Sequence, residues 1–280
     1  MLTEQEKWYF DHHGFIVLPK VVSPEDIERM LELGNYWHNL PFDELPHPLT
    51  STADTHPDYS KTIARWINHI QYGDPVFQRL VLNPEIMRII IALTHQYPVL
   101  VDTALTKNYR TSDDIHFHAS GQDYRIIDGE PFAGFLNAAI SLVDVPAETG
   151  FVCLLGSHKR NFSPPSQTNN PDRTLVSIYD SSPTVINLPV QSGDCVIFTE
   201  ALFHGARRWT AEYPRFTIFN RYRANLPNTD PITTYGGLES NKDSISDSVY
   251  ELQQPTTTSQ PKSVVQEITS KIKLTSITSR

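Results

Sequence analysis

Between residue 99 and residue 222 the chain is a succession of short apolar segments separated by turn residues, and this pattern constrains the fold most. The segments are rich in β-branched and aromatic residues, as strands usually are: VLVDTAL, IHFHAS, FLNAAISLV, FVCLL, TVINLPV, DCVIFT and RFTIFNRY. Their regular spacing predicts a closed or sandwiched antiparallel β structure rather than repeated βαβ units.

The first hundred residues carry helix signals instead. A capping-box pattern begins at Thr3, a Ser-Pro helix start lies at Ser23, and an Asn-Pro start lies at Asn83. Gly34 is the expected end of the second helix, and the apolar run GFIVLP before it predicts a strand. Helices that precede a β-rich body are typical of the α+β class.

Two long stretches lack a regular pattern. Residues 40–60 contain four prolines, which predicts a long loop of the kind that often forms a wall or lid over a pocket. Beyond residue 225, Ser, Thr, Gln and Pro dominate and apolar residues are sparse. The sequence therefore predicts a folded domain over residues 1–225 and a Ser/Thr-rich C-terminal extension, residues 226–280, that is partly disordered and has little core. The apolar residues after Ser263 have near-helical spacing, so a short docking helix there is an open alternative.

Composition excludes several classes of protein. Hydrophobic residues make up 39% of the chain, so a wholly disordered protein is excluded. The net charge of -9 argues against nucleic-acid binding, because a phosphate-binding surface needs clustered Lys and Arg. Cys153 and Cys195 lie in apolar runs and are expected to be small buried hydrophobes. Neither a secretory signal nor a membrane span is indicated, and a cytoplasmic location is expected.

The late segment SGDCVIFTEALFHGARRWTAEYPRFTIFNRYR carries the most specific chemical signal. Arg215 follows His204 by eleven residues, and Thr217 shares a strand face with Arg215. A guanidinium beside a hydroxyl is a good receptor for a carboxylate, because the planar fork can bind both oxygens. A metal-ligating histidine on one strand and this arginine on the next would together hold a dicarboxylate cofactor.

Three stretches, in this order along the chain, resemble the phytanoyl-CoA dioxygenase-like family of iron(II) and 2-oxoglutarate-dependent oxygenases. They are DHHGFIVLPKVVSPEDIERM, SLVDVPAETGFVCLLGSHKRNF and SGDCVIFTEALFHGARRWT with the arginine that follows. The resemblance covers residues 1 to about 225. It implies a double-stranded β-helix core, jelly-roll or cupin-like, with N-terminal helices packed on one side. It also implies Fe(II) and 2-oxoglutarate as cofactors.

Carried over by position, the resemblance implies roles for individual residues. His204 matches the distal iron ligand, Arg215 matches the residue that binds the far carboxylate of 2-oxoglutarate, and Thr217 accompanies it. His118 matches the proximal iron ligand. Here the sequence departs from the family, because the carboxylate expected two residues later is replaced by Ser120.

Three arrangements can complete the iron site. Asp123 can turn in from the following loop, which we slightly favour. Alternatively, His116 and His118 can both bind the metal together with His204, or the third position is left to water or a halide ion. The last arrangement is that of the related halogenases, which carry a small residue there.

The function that follows is oxidation of a small-molecule substrate, of the hydroxylase type, coupled to decarboxylation of 2-oxoglutarate to succinate. Two alternatives remain open. A halogenase differs only in the occupant of the vacant iron position, and a non-catalytic β-helix binding protein would carry a degenerate iron site. The sequence names neither the substrate nor the oligomeric state.

Overall fold

Two antiparallel sheets form the body of the computed structural model, which describes residues 2–51, 64–110, 115–121, 123–162 and 183–278. The described strands of the first half are β1 (Phe15–Leu18), β2 (Thr50–Ser51), β3 (Ala64–Asn68), β4 (Pro98–Asn108), β5 (Ile115–His118), β6 (Tyr124–Ile127) and β7 (Glu130–Ala133). They are followed by β8 (Phe135–Ser141), β9 (Gly150–Leu154), β10 (Val185–Asn187), β11 (Cys195–Thr199), β12 (His204–Arg207) and β13 (Arg215–Ala224).

The larger sheet has the strand order β1-β11-β8-β13-β4-β3-β2, and the smaller sheet has the order β10-β9-β12-β5. Strands β6 and β7 form a separate hairpin. Six of the ten pairings between the described strands join strands that are not consecutive in the sequence, which is the arrangement expected of a double-stranded β-helix rather than a simple meander. The predicted strands all lie in these sheets, whereas β2, β3, β6 and β7 were not predicted.

The strands of the larger sheet separate two cores because alternate side chains point to opposite faces. On β13, Phe216 and Ile218 pack into the main core with the helices. Phe219 packs on the opposite face in a second cluster, which also contains Phe151 and Cys153 of the smaller sheet. The second face is therefore the inner face of the sandwich, and the odd-numbered residues of β13 line it.

Helices cover the outer face of the larger sheet, and three of the four start where the sequence predicts, after Thr3, Ser23 and Asn83, whereas the helix that begins at Pro75 was not predicted. These helices are α1 (Glu4–His13), α2 (Pro24–Asn39), α3 (Pro75–Val81) and α4 (Pro84–Leu93). The side chain of Thr3 accepts a hydrogen bond from the Glu6 amide while the Glu6 carboxylate accepts one from the Thr3 amide, a complete capping box. Ser23 and Asn83 cap α2 and α4 in the same way, by accepting backbone N–H groups.

Helix α2 continues past Gly34, so the prediction that it ends there is wrong. Gly34 is buried in the middle of the helix, and a Cβ at this position would lie 2.7 Å from Cδ2 of Leu105 and 3.2 Å from a ring carbon of Phe216. The glycine therefore allows the helix backbone to approach the sheet closely. Close packing, not termination, explains its place in the sequence.

The C-terminal segment contributes to the main core, which differs from the prediction of little core. Its helices α5 (Asp247–Gln253) and α6 (Ser263–Thr278) place Leu252, Val265 and Ile268 in that core, beside α4. The Glu251 carboxylate accepts the first two amides of α6, each at 2.8 Å. Few apolar residues suffice because they recur at helical spacing and share one face. The division of the chain at residue 225 stays a prediction.

Other predictions have mixed outcomes. Cys153 and Cys195 are buried and unbridged, as expected. Residues 52–60 of the predicted loop lie outside the described residues, and its earlier part forms a 3₁₀ turn at Phe42–Glu44 and strand β2.

Within the described part of the chain, no helix has the length and apolar character needed to cross a membrane.

Candidate metal and cofactor site

His204 begins β12 and lies buried between the sheets, where its ring contacts Phe198 at 4.5 Å between centroids. Its Nδ1 lies 2.9 Å from the carbonyl oxygen of Leu202, so Nδ1 carries the proton and Nε2 keeps a free lone pair. Burial, reinforced by His118, lowers the pKa of His204 to about 3. The imidazole is therefore neutral near pH 7, which is the form that binds a metal ion.

His118 is the last residue of β5 and pairs directly with His204 across the two strands. The ring centroids lie 4.3 Å apart and the ring planes meet at 52°. His118 is exposed whereas His204 is buried. Two imidazoles this close, one buried and one exposed to solvent, are placed to share one metal ion.

Arg215 and Thr217 lie on the inner face of β13 and present unused donors. Arg215 is half-buried and Thr217 is buried, and burial lowers the pKa of the guanidinium to about 10. Among the described residues, neither the Nε of Arg215 nor the hydroxyl of Thr217 has a hydrogen-bond partner. Buried polar groups without partners are uncommon and costly, so this pair indicates a bound ligand with acceptor oxygens.

The smaller sheet passes close to this arginine at Gly150, the first residue of β9. A Cβ at Gly150 would lie 3.8 Å from Cζ of Arg215 and 2.6 Å from a methyl group of Val145, and the φ of Gly150 is +69°. A side chain here would be strained by this backbone conformation and would clash with Val145, whereas it would meet the guanidinium at ordinary contact distance. Arg215 is thus covered by the smaller sheet, which also carries the buried His204 and the exposed His118.

The donor set matches the two cofactors that the sequence implies. The paired imidazoles are suited to Fe(II), and the guanidinium with its neighbouring hydroxyl is suited to the far carboxylate of 2-oxoglutarate. The structure therefore places Arg215 and Thr217 on the inner face of the larger sheet and pairs His118 with His204 on the smaller sheet. The roles of these residues stay predictions.

Asp123 is placed differently. Its side chain is 53% exposed, one carboxylate oxygen lies 3.4 Å from the guanidinium of Arg125, and its carbonyl accepts the Gly134 amide at 2.8 Å. A Cβ at Gly134 would lie 1.8 Å from the other carboxylate oxygen, so the carboxylate packs directly on that glycine. Among the described residues, no group of three or more His, Cys, Asp or Glu side chains is suited to hold a metal ion. Asp123 as the third ligand stays a prediction.

His116 belongs to β5, but its side chain lies outside what the structure describes. The three-histidine alternative therefore also stays a prediction.

Sequence reasoning missed a row of polar residues on the inner face. Asp102, Asn137 and Arg221 are cross-strand neighbours on β4, β8 and β13, and Glu200 follows the end of β11. Each of the three strand residues is a polar residue within an otherwise apolar segment, which is visible in the sequence. Whether such a residue points inward can be recognised only once the face of each strand is known.

Comparison with known proteins assigns the family. The family profile described as Phytanoyl-CoA dioxygenase (PhyH) matches residues 10–217, which is most of the chain. The chain belongs to the phytanoyl-CoA dioxygenase family. The predicted family membership is confirmed, and with it the identification of the chain as a member of a dioxygenase family.

Curated relatives match a comparable share of the chain. The peroxisomal phytanoyl-CoA dioxygenase of Mus musculus is 24% identical over 225 residues, which cover 74% of this chain and 64% of the relative. The Bos taurus enzyme of the same name is 24% identical over 221 residues with the same coverage. The chain thus spans somewhat less than two thirds of the length of these relatives.

Solved structures confirm the predicted fold. HygX from Streptomyces hygroscopicus, solved with nickel, 2-oxoglutarate and hygromycin B, matches with a TM-score of 0.65 at 23% identity, covering 79% of this chain and 87% of HygX. EctD from S. alaskensis, solved with 2-oxoglutarate and 5-hydroxyectoine, matches with a TM-score of 0.63 at 18% identity, covering 84% and 80%. The α+β class with a cupin-like double-stranded β-helix is therefore confirmed.

Proposed function

We propose that the protein is a non-haem Fe(II) and 2-oxoglutarate-dependent oxygenase that oxidises a small molecule, with hydroxylation as the reaction type. The observation that carries the proposal is a pair of buried donors, Nε of Arg215 and the hydroxyl of Thr217, that have no hydrogen-bond partner among the described residues and lie on the inner face of the larger sheet, while the smaller sheet bears the histidine pair. Family membership supports the same function, as do the nickel and 2-oxoglutarate bound in HygX.

Each residue would have a distinct task. His118 and His204 hold the iron, and the Leu202 carbonyl keeps Nε2 of His204 free for it. Arg215 binds the far carboxylate of 2-oxoglutarate through its fork, and Thr217 donates its hydroxyl to the same group. When bound, iron and 2-oxoglutarate supply activation of dioxygen coupled to decarboxylation of 2-oxoglutarate to succinate.

The protein also excludes water from this interior. The His204 ring is stacked near Phe151 at 6.0 Å and contacts Phe198 at 4.5 Å, so apolar surface covers the inner side of the histidine pair. A site that is closed on this side protects reactive species from bulk water. Substrate would therefore approach from the side on which His118 is exposed.

Anaerobic titration tests the proposal. Fe(II) and 2-oxoglutarate added together to the purified protein should give the weak visible charge-transfer band of the ternary complex, and admission of air should yield succinate. Calorimetry that detects no binding of 2-oxoglutarate in the presence of Fe(II), together with the absence of the band, would contradict the oxygenase proposal.

A halogenase is the second candidate, and one observation favours it. Within the described residues no carboxylate joins the histidine pair, and Ser120 stands where the family has its carboxylate. A halide ion can then occupy the position. Product analysis with and without chloride separates the two candidates, because only the halogenase gives a chlorinated product.

The substrate class is supported as a small molecule. HygX was solved with hygromycin B and EctD with 5-hydroxyectoine, whereas the curated relatives are named for an acyl-CoA. The fold is compatible with either kind of ligand. The side chains on the inner face of this chain therefore determine whether an acyl-CoA or another small molecule binds.

A further inference from the structure

A row of hydrogen-bonded polar side chains crosses the inner face of the larger sheet beside the histidine pair. Arg221 on β13 lies between Asn137 on β8 and Asp102 on β4, each of them its direct cross-strand neighbour. Asn137 in turn pairs with Phe198 on β11, whose ring contacts His204. We call Asp102, Arg221, Asn137 and Glu200 the polar row.

Hydrogen bonds fix each member of the polar row. Nη1 of Arg221 donates to Asp102 at 2.6 Å, and Nε of Arg221 donates to the amide oxygen of Asn137 at 3.3 Å. The amide nitrogen of Asn137 then donates to the Glu200 carboxylate. Because its oxygen is held by Arg221, the Asn137 amide must direct its N–H group towards Glu200.

The guanidinium of the polar row is already neutralised. Asp102 forms an ion pair with Arg221, and both side chains are 26% exposed. The guanidinium carbon also lies 5.2 Å from the ring centroid of Trp66 and 5.8 Å from that of Phe219, rings that stack on each other at 5.2 Å. Arg221 is thus held on several sides and is poorly placed to bind a substrate anion.

Glu200 remains as the uncompensated charge. It is 5% exposed, and among the described residues no guanidinium or ammonium group forms an ion pair with it. Its identified side-chain partner is the neutral amide of Asn137. The polar row therefore carries two carboxylates against one guanidinium, a formal charge of -1. A buried carboxylate is stabilised by an opposite charge, which makes this position complementary to a cation.

Glu200 also lies near the histidine pair. It precedes His204 by four residues, and its carbonyl accepts the amide of Ser120 at 2.8 Å, two residues beyond His118. The segment that carries the carboxylate is thus joined to both histidine-bearing strands. A group bound by Glu200 would have a defined position relative to the histidine pair.

We infer that the polar row is a substrate subsite that binds a protonated amine, with Glu200 as its counter-ion and Asn137 holding Glu200 in place. The inference rests on the proposed function and names its substrate class. An amine-bearing polar molecule is selected, and a long-chain acyl thioester is disfavoured because its apolar chain would desolvate the polar row without pairing the Glu200 charge.

Matched pairs of probes test the subsite. Ligand-observed NMR on the full chain, kept anaerobic with Fe(II) and 2-oxoglutarate, compares benzylamine with N-benzylacetamide and glucosamine with N-acetylglucosamine. Each amine should bind at least about tenfold more tightly than its acetamide, because acetylation removes the charge. Equal binding within both pairs, or no binding of either amine, would overturn the inference.

Variants assign the preference to Glu200. Glu200→Gln keeps the shape and removes the charge, so it should abolish the preference for the amine. Glu212→Gln is the matched control, because Glu212 is an exposed carboxylate paired with Arg110, and it should leave the preference intact. Asp102→Asn removes the partner of Arg221 and should allow benzoate to bind, whereas the wild-type protein should not bind benzoate.

The iron signal separates this inference from the proposed function. Glu200→Gln should retain the charge-transfer band with Fe(II) and 2-oxoglutarate. If that variant loses the band, Glu200 serves the metal and the subsite inference is overturned. If the wild-type protein shows no band but still prefers amines in a Glu200-dependent way, the oxygenase proposal fails and the subsite remains.

Discussion

The arginine end and the histidine end of the interior are built by different means. Arg215 and Thr217 lie on β13, a ten-residue strand that is paired along both edges, with β8 and β4. His118 lies at the end of the four-residue β5, at the edge of the smaller sheet, where the pairing with β12 shifts register. Regular strand geometry places the side chains of the arginine end. At the histidine end, the position of any further ligand depends on the turn that follows an edge strand.

This difference explains why the sequence does not specify which residue provides the third iron ligand. A carboxylate two residues beyond a histidine would be placed by the strand itself, but Ser120 occupies that position. Any other ligand has to come from chain beyond the regular strand.

The largest effect is expected at the histidine pair. His118→Ala and His204→Ala should each abolish iron binding, exceeding the ~10–100-fold loss typical for a supporting residue, because each removes a direct ligand. Anaerobic Fe(II) titration followed by the charge-transfer band measures this, and circular dichroism confirms folding. His204→Gln, which preserves volume in the buried position, repeats the test if the alanine variant unfolds. Retention of iron by either His204 variant would contradict its role.

The next effect concerns the arginine end. Arg215→Lys keeps the charge but loses the two-pronged geometry, so the affinity for 2-oxoglutarate should fall about tenfold or more, or roughly 1.4 kcal/mol of binding. Calorimetry measures the affinity with iron present. Arg223→Lys is the control, since Arg223 lies on the same strand but is exposed, and it should bind 2-oxoglutarate normally. Equal affinity in both variants would make Arg215 an ordinary strand residue.

The third prediction addresses the turn after β5. If Asp123 completes the site, Asp123→Ala should reduce iron affinity and succinate formation by more than tenfold, whereas His116→Ala should weaken iron binding at most. Unchanged iron affinity in Asp123→Ala would leave the position empty or filled from elsewhere. Chloride dependence of the product is then the measurement to make. Loss of iron in His116→Ala with retention in His118→Ala would show that the register assumed for this strand is wrong.

The smallest effect is expected at Thr217. Thr217→Val removes one donor to the cofactor, so 2-oxoglutarate affinity should fall only about threefold to tenfold. The free energy of unfolding of the cofactor-free protein should stay the same or rise, because the hydroxyl has no partner among the described residues. Thr106→Val is the control, since its hydroxyl donates to the Thr217 carbonyl at 3.2 Å and its loss should destabilise by about 1 kcal/mol. Denaturant unfolding compares the two.

Local signals predicted the elements well because their causes are local. The caps at Thr3, Ser23 and Asn83 depend on side chains within three residues of the helix start, and all three form as predicted. Gly34 was misjudged for the opposite reason. Its role depends on Leu105 and Phe216, which are distant in sequence, and no local pattern reveals a close helix–sheet approach.

The part of the candidate site that could be predicted from the sequence is the part that residue spacing along one strand defines. Arg215 and Thr217 share a face by strand periodicity alone, and their separation from His204 is a property of the sequence. The polar row was not predictable, because Asp102, Asn137 and Arg221 meet only through the order β8-β13-β4. Long-range strand order is the information that a single sequence does not display.

The packing of α6 on α4 also means that α4 cannot complete its contacts until the end of the chain has been synthesised. Helix α4 buries most of its side chains, among them Ile86, Ile89 and Leu93, and it is translated before strands β4 to β13. Val265 and Ile268, which help to cover it, emerge only after the strands. Strand β1 likewise waits for β11 as its partner. The part of α4 that α6 covers therefore stays exposed in the nascent chain until the C-terminal segment has been translated, and exposed apolar surface of this kind is prone to aggregation.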